Sequence, residues 1–308
     1  MTIVVTGAAG FIGRALVAAL VQRLPGADVV AVDQSALDAP GIRAVTGNIA
    51  YPQFARSLVD HGVDTVFHLA SLVSGGAEQN FELGTKVNLD ATRDLLEACR
   101  LAAHRPKFVF ASSIAVYGGA LPDPVADETP PAPRISYGIQ KLVCELLIND
   151  YTRRGYVDGR SLRLPTVMVR PGSANTAVSG WASAIVREPL AGRDYVCPVR
   201  PDTRMACLSL ARTVDALLHA AQLAGDALDW ERTVLLTGIP VAADAMWDAV
   251  QRRAGGRCLG EVRFRPDPGL QAVMDLVPRA TWSRRAATLG FAHNAGIDEI
   301  IDEYVETL

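Results

Sequence analysis

Short apolar runs rich in β-branched residues recur at residues 2–5, 29–32, 65–69, 107–111, 161–164 and 233–236, and stretches of helical period separate them. The runs are apolar on consecutive positions rather than on alternate ones, so their strands are buried on both faces. Strand and helix in alternation with doubly buried strands predict an α/β fold, a doubly wound parallel sheet of Rossmann type. After Pro165 the rhythm breaks. Pro171-Gly172, an amphipathic stretch at 181–190, Cys197-Pro198, Pro201 and a strand-like 261–264 precede the C-terminal helices. These pieces predict a smaller C-terminal lobe that covers the carboxyl ends of the strands and binds substrate. The predicted division is 1–166 with a returning segment near 208–240, against 167–207 and 241–308. No internal repeat or low-complexity linker separates the two, so the lobes interleave.

The first strand breaks into Gly7-Ala-Ala-Gly10-Phe11-Ile12-Gly13 and continues as a helix over 14–23. A strand, tight turn and helix in this order aim backbone N–H groups and the positive end of a helix dipole at one point, which suits a pyrophosphate. Gly7 permits the turn, Gly10 lets phosphate approach the backbone, and Gly13 lets the helix pack close to the strand. The second strand ends in Asp33, about twenty residues after the last glycine, where a carboxylate accepts from both ribose hydroxyls. An acid there repels a 2′-phosphate, so the expected cofactor is NAD rather than NADP. No Lys-Ser/Thr follows the glycines, which speaks against a nucleoside triphosphatase loop.

The 308 residues can bury a large core, and 49% hydrophobic and 20% charged residues describe a globular enzyme. A net charge of −3 leaves no footprint for nucleic acid or an anionic membrane. The chain starts on a strand without a charged leader or a long apolar span, so the expected compartment is the cytoplasm. Cys99, Cys144, Cys197, Cys207 and Cys258 are odd in number and widely spaced, which predicts free thiols. The five histidines have no ligand spacing, so no metal is expected.

Tyr137 and Lys141 stand four apart in a stretch of helical period over 136–150, which puts both side chains on one helix face. An ammonium beside a phenol favours the phenolate, and a tyrosine so tuned takes the proton from a substrate hydroxyl while its carbon gives up hydride. The fourth predicted strand ends in Ser112-Ser113, at the sheet edge where such folds bind ligands. Ser113 is placed to hydrogen-bond the reacting oxygen, and Ser112 to lie on the nicotinamide side.

The glycine turn, Asp33, His68-Leu-Ala-Ser71, Asn88, Ser112-Ser-Ile-Ala-Val-Tyr-Gly118, Tyr137-Gly-Ile-Gln-Lys141, Arg163-Leu-Pro-Thr166 and Leu289-Gly-Phe291 together resemble the extended short-chain dehydrogenase/reductase family, that is, the NAD-dependent epimerases and dehydratases. The resemblance implies a Ser113, Tyr137, Lys141 triad, with Tyr137 and Lys141 also touching the cofactor. It implies that Phe11, Ile12, Leu69, Ala70, Ser71 and Asn88 line the NAD site, with Pro165 and Thr166 near the carboxamide. Where the family has Gly-Asp-Ile or Gly-Asp-Leu, this chain has Gly47-Asn48-Ile49; Asn48 keeps a hydrogen bond to adenine but loses the charge. The resemblance further implies a homodimer, paired through helices at 81–103 and 136–151 as a four-helix bundle.

Dehydratases of this family carry an acidic pair after the strand-end hydroxyl, whereas Ser113 is followed by Ile114 and Ala115. Three phrases, at 163–175, 185–192 and 197–204, resemble a branch whose members oxidise a free four-carbon sugar acid beside its carboxylate, giving a 2-oxo acid and reduced NAD. A small hydroxy acid needs a cationic end to hold its carboxylate. Arg204 falls where sugar-nucleotide members place an arginine for the diphosphate, and a surface pair with Asp202 is its bland alternative. Ser74 and Asn175 are candidates for substrate hydroxyls. The four tryptophans are expected in the core or at lobe contacts. Two other enzymatic readings stay open, a sugar-nucleotide epimerase with tightly held NAD and a uronate dehydrogenase. A dinucleotide-sensing regulator would have no use for Ser113, Tyr137 and Lys141 together.

Overall fold

A computed structural model describes residues 1–59, 62–172 and 177–308, so Asn175 lies outside the described residues. The chain runs β1 (Thr2–Thr6), α1 (Phe11–Arg23), β2 (Asp28–Asp33), β3 (Ile42–Thr46), α2 (Pro52–Ser57), β4 (Val63–His68), α3 (Ser74–Gln79), α4 (Phe81–Gly84), a π-helical turn (Thr85–Asp90), α5 (Ala91–Ala102), β5 (Lys107–Ser113), α6 (Ser136–Arg153) and β6 (Asp158–Leu164). It continues through β7 (Thr166–Met168), α7 (Gly180–Leu190), β8 (Tyr195–Cys197), β9 (Arg204–Ser209), α8 (Leu210–Gln222), β10 (Thr233–Leu235), β11 (Ile239–Ala242), α9 (Ala243–Arg253), β12 (Val262–Phe264), α10 (Pro268–Met274), α11 (Arg284–Thr288) and α12 (Ile297–Val305).

Two compact units emerge, one of Met1–Val116, Ile135–Arg163 and Val214–Val234, the other of Tyr117–Arg134, Leu164–Thr213 and Leu235–Leu308. The segment 117–134, which falls within the 1–166 span expected to bind the dinucleotide, groups with the second unit.

The first unit is built on a seven-stranded sheet in the order β10-β6-β5-β4-β1-β2-β3. The pairs β1–β2, β2–β3, β1–β4 and β4–β5 are parallel. Val4, Val30, Val66, Phe108 and Phe110 project from the central strands into one cluster with Leu95, Leu96 and Ile148 of α5 and α6. The alternate positions Ile3, Val5, Val29, Phe67 and Val109 are buried as well, and burial on both faces is what unbroken apolar runs require. β3 carries no apolar run because it is an edge strand open to solvent, unlike the buried edge strand β10. Arg43 and Ala44 are exposed on it, and Arg43 pairs with Asp28 at 2.8 Å, so no apolar run marks it. The order reverses between β1 and β4, and in open α/β sheets ligands bind at the carboxyl ends of the strands at such a reversal.

The second unit holds a three-stranded sheet, β11-β9-β7, and a two-stranded one, β12-β8. Its core joins Trp181, Ile185 and Val186 of α7 to Met246 and Val250 of α9 and Ile300 and Ile301 of α12. Trp181 and Trp247 belong to or pack on this core, but Trp230 and Trp282 do not follow the expectation: they are 78% and 48% exposed. Four cysteines are buried free thiols and Cys258 is exposed. Among the described residues, no helix is long and apolar enough to cross a membrane.

Candidate active site

At the sheet reversal, β1 ends in Gly7 with φ +71°, a left-handed backbone that glycine adopts freely. A Cβ on Gly7 would stand 2.7 Å from the Ala70 nitrogen, so the turn lies directly on the chain leaving β4. A Cβ on Gly13 would stand 2.1 Å from the Gly7 carbonyl oxygen, so α1 starts hard against the turn. The N-cap of α1, Gly10, supplies no side-chain cap, and the first helical turn holds no acid. The start of α1 therefore presents the positive end of its dipole with neither a side-chain cap nor an acid of its own, the arrangement that suits a phosphate. Asp33 is fixed beside them: its Oδ2 accepts from the Ala9 N–H and its Oδ1 from the Ser35 N–H, both at 3.0 Å. Each oxygen keeps a lone pair for a hydroxyl. The cradle, the uncapped helix and the oriented acid fit the pyrophosphate and ribose of a dinucleotide.

Behind the turn, the buried His68 is threaded between two threonines. Its Nδ1 lies 2.7 Å from Thr6 Oγ1 and its Nε2 2.9 Å from Thr92 Oγ1. Thr92 Oγ1 spends its proton on the Asn88 carbonyl, so it accepts from Nε2, which carries the ring's proton. Burial, with Lys141 nearby, pushes the His68 pKa down to about 3, and the ring is neutral.

At the end of β5, Ser113 accepts from the Ala115 N–H at 3.1 Å. Tyr137 and Lys141 rise from the first two turns of α6. Lys141 is 1% exposed, donates to the Ala111 carbonyl at 2.8 Å, and has its Nζ 4.5 Å from the Phe110 ring centroid and 5.6 Å from that of Tyr137. Burial lowers the lysine to about 8, against the pull of Cys144 and Glu145. Burial raises the Tyr137 phenol, and hydrogen bonding with the Ser71 and Ser113 hydroxyls pulls it back down. One cluster therefore contains a phenol, a cation and two hydroxyls, the set a proton-abstracting centre needs.

Several predicted residues take other duties. Asn88 is buried on the π-helical turn with its amide fully spent. Its Oδ1 accepts from Ser71 Oγ and the Leu72 N–H, and its Nδ2 donates to the Leu72 carbonyl and Gln140 Oε1. It clamps the loop 71–72 to α6 instead of offering its side chain to a cofactor. Ser112 is turned inward, donating to Glu145 at 2.5 Å, so its hydroxyl does not face the nicotinamide side. Asn48 uses its Oδ1 on the Ala50 N–H at 2.9 Å, and Ile49 is a core residue. Phe11 and Ile12 open α1, and Leu69 and Ala70 are half-buried where the chain leaves β4. Ser74 is buried at the start of α3. In the second unit, Pro165 packs on Gly238 and Thr166 opens β7. Arg204, at the start of β9, pairs with Asp123 at 2.5 Å, while Asp202 belongs to Arg200. The sequence reading missed Glu145 and the second role of Ser71. A glutamate one turn after Lys141 in a helix of mixed polarity gave a signal for the first; nothing local signalled the second.

The family profile described as "NAD dependent epimerase/dehydratase family" matches residues 3–222, and the chain belongs to that family. Within it, the chain is 44% identical to a D-erythronate dehydrogenase of Cupriavidus necator, over 99% of this chain and 98% of the relative. It is 36% identical to a D-erythronate dehydrogenase of Haemophilus influenzae, over 99% of both. The structure of a protein described as the nucleoside-diphosphate-sugar epimerase from Agrobacterium tumefaciens superposes with a TM-score of 0.94 at 36% identity, covering 99% of this chain and 94% of that one.

Proposed function

We propose that this protein is a D-erythronate dehydrogenase, oxidising the hydroxyl next to the carboxylate of D-erythronate to the 2-oxo acid with NAD as acceptor. The observation that carries the reading is the gathering of Ser113, Tyr137 and Lys141 at the end of β5, in a chain that matches two D-erythronate dehydrogenases over 99% of its length. In this reading Tyr137 is the base: its phenolate takes the proton of the substrate hydroxyl. The Lys141 ammonium holds the phenolate charge and reaches toward the ribose, and Ser113 donates to the reacting oxygen. Bound NAD supplies the hydride acceptor. Asp33 receives the adenosine ribose hydroxyls, the N-terminal N–H groups of α1 receive the pyrophosphate, and the NH2 of Asn48 is left to donate to adenine. Leu69, Ala70 and Ser71 form the floor of the cofactor site, and Pro165 and Thr166 serve the carboxamide.

Ser74, Asn175 and Arg204 are proposed for the substrate, with Arg204 as the carboxylate partner once Asp123 shares or yields its guanidinium. The setting is cytoplasmic and the assembly a homodimer. Phe81, Leu83, Ile139 and Leu146 on α4 and α6 are exposed apolar residues on the helices expected to pair.

The test is a scan of four- to six-carbon aldonates and uronates with NAD, followed by absorbance of the reduced cofactor. Turnover on D-erythronate above the longer acids and uronates supports the reading; a preference for uronates overturns the substrate. A second reading, a sugar-nucleotide epimerase, is favoured by the description of the Agrobacterium structure. It requires NAD that stays bound through purification and no net reduction on any sugar acid.

A further inference from the structure

Glu145 lies on α6 one turn beyond Lys141 and is 1% exposed. Its Oε1 accepts from Ser112 Oγ at 2.5 Å and Arg163 Nε at 3.0 Å, and its Oε2 accepts from Arg163 Nη2 at 2.7 Å. Packed apolar residues commonly hold a fold as well as a buried ion pair does, so stability alone does not account for this cluster. Its position does. Residues four apart share a helix face, which sets the carboxylate beside the lysine, and the same carboxylate grips the serine adjoining Ser113.

Tyr137 and Lys141 titrate as a pair. When the pair has lost one proton, the remaining one sits either on the lysine, leaving the phenolate, or on the phenol, leaving a neutral amine. Only the first state can accept the substrate proton. Burial favours the second, since it penalises both charges. We propose that Glu145 is a positioning residue that keeps this proton on Lys141, so that Tyr137 is the group left as an anion. This rests on the reading of Tyr137 as base and Lys141 as its partner.

The surroundings of Lys141 leave this task to Glu145. On α6 itself stand Tyr137, Cys144 and Glu145, and burial raises the Cys144 thiol to about 11, so it carries no charge at neutral pH. β4 presents the neutral His68, β5 the Phe110 ring and the Ala111 carbonyl. The π-helical turn spends its Asn88 amide on the neighbouring Gln140, and β6 brings Arg163 to Glu145. Glu78 of α3 and Glu97 of α5 meet α6 at Ser136 and Tyr151, toward its two ends. Of the two groups that oppose the burial lowering Lys141 to about 8, Cys144 and Glu145, the thiol is uncharged at neutral pH, so among the described residues the charge that acts there is the Glu145 carboxylate, which is paired with Arg163.

The experiment measures kcat against pH and NAD affinity for the parent, Glu145→Gln, Arg163→Gln and Tyr137→Phe. Removing a unit charge one helical turn away is worth on the order of one pH unit after partial compensation. Glu145→Gln is expected to lower the plateau of kcat about tenfold, with NAD affinity unchanged, and to move the rising limb down by about one unit. Arg163→Gln, which leaves the carboxylate less balanced, moves the limb up. Tyrosinate absorbance of NAD-saturated protein, taken as the difference from Tyr137→Phe, falls in Glu145→Gln independently of turnover. An unmoved limb in Glu145→Gln, or a limb that moves the same way in both variants, overturns the inference. If Glu145→Gln does not fold, the sign in Arg163→Gln decides: an upward shift supports it, and an unmoved or lowered limb overturns it. Retained turnover in Tyr137→Phe defeats the underlying reading instead, which separates the two failures.

Discussion

Replacing Gly13 by alanine tests the dinucleotide cradle most directly. The added Cβ would stand 2.1 Å from the Gly7 carbonyl oxygen and 2.8 Å from the Ala8 Cα, and real Cβ atoms essentially never come within 3.0 Å of a neighbour. A gap of about 1 Å must therefore open between the turn and the first helical turn of α1. The turn cannot retreat, because a Cβ at Gly7 would itself meet the Ala70 nitrogen at 2.7 Å, so α1 moves outward. A 1 Å displacement takes N–H groups set for a phosphate oxygen out of hydrogen-bond range. Losing two charge-assisted bonds at about 1.5 kcal/mol each weakens NAD binding about a hundredfold. Overpacking costs a further 1–3 kcal/mol or so of stability. Gly10→Ala is the graded comparison: its Cβ would meet the same oxygen at 3.0 Å, which a few tenths of an ångström relieve, and Gly10 has an ordinary φ of −70°. Calorimetric titration with NAD and a thermal melt of each variant read the two effects. NAD bound by Gly13→Ala within threefold of the parent, or a melt in which Gly10→Ala is the more destabilised of the two, would refute the steric argument.

Tyr137→Phe should lose turnover by about a thousandfold, with NAD affinity by titration within threefold of the parent; turnover within about tenfold of the parent would remove Tyr137 as the base. Acid should destabilise the protein through His68, whose folded pKa of about 3 lies below its ordinary 6.5. The unfolded chain binds the extra proton, so this contribution is complete above pH 6.5 and is lost as pH falls from 6.5 toward 3, about 2 kcal/mol by pH 5. Denaturant melts of the parent and His68→Gln between pH 5 and 7 check it, and equal slopes in the two would refute it. Leu146→Glu, on the exposed face of α6, should turn a dimer into monomers by light scattering at micromolar concentration without changing the far-ultraviolet circular dichroism; a parent that is already monomeric ends the dimer proposal.

The parts legible in the sequence are those whose physics is local. β1, β2, β4 and β5 announce themselves because a strand covered on both faces must be apolar at every position, and Gly7 and Gly13 because only glycine fits a left-handed turn or a backbone-to-backbone contact. Asp33 is legible because the length of one strand, turn and helix fixes where a second strand ends. β3 was not, since it is an edge strand open to solvent, whereas the other edge, β10, is buried and carries its apolar run. Arg204 shows the same limit for side chains: its tempting partner, Asp202, lies two residues away, but the actual partner, Asp123, is set by the fold and lies 81 residues away.

Asn88 and Glu145 carry that limit into the site itself. Each has polar atoms that pattern reading assigns to a ligand or to solvent, and each spends them on the protein. Asn88 joins the Ser71–Leu72 loop to Gln140 of α6, and Glu145 joins the end of β5 to Arg163 of β6. Buried polar groups must be satisfied, and here the satisfying partners are the backbone and side chains that flank Ser113, Tyr137 and Lys141. A hydroxyl, phenol and ammonium on separate elements hold a reactive geometry only if those elements cannot slide. An apolar interface permits small sliding, because dispersion contacts re-form at many registers. A directional hydrogen bond does not, because a shift of about 1 Å breaks it and strands a buried donor or acceptor at about 1–3 kcal/mol. The polar pins behind the site therefore fix the register of α6 against β5 and the loop after β4, which is where a dehydrogenase of this design needs rigidity.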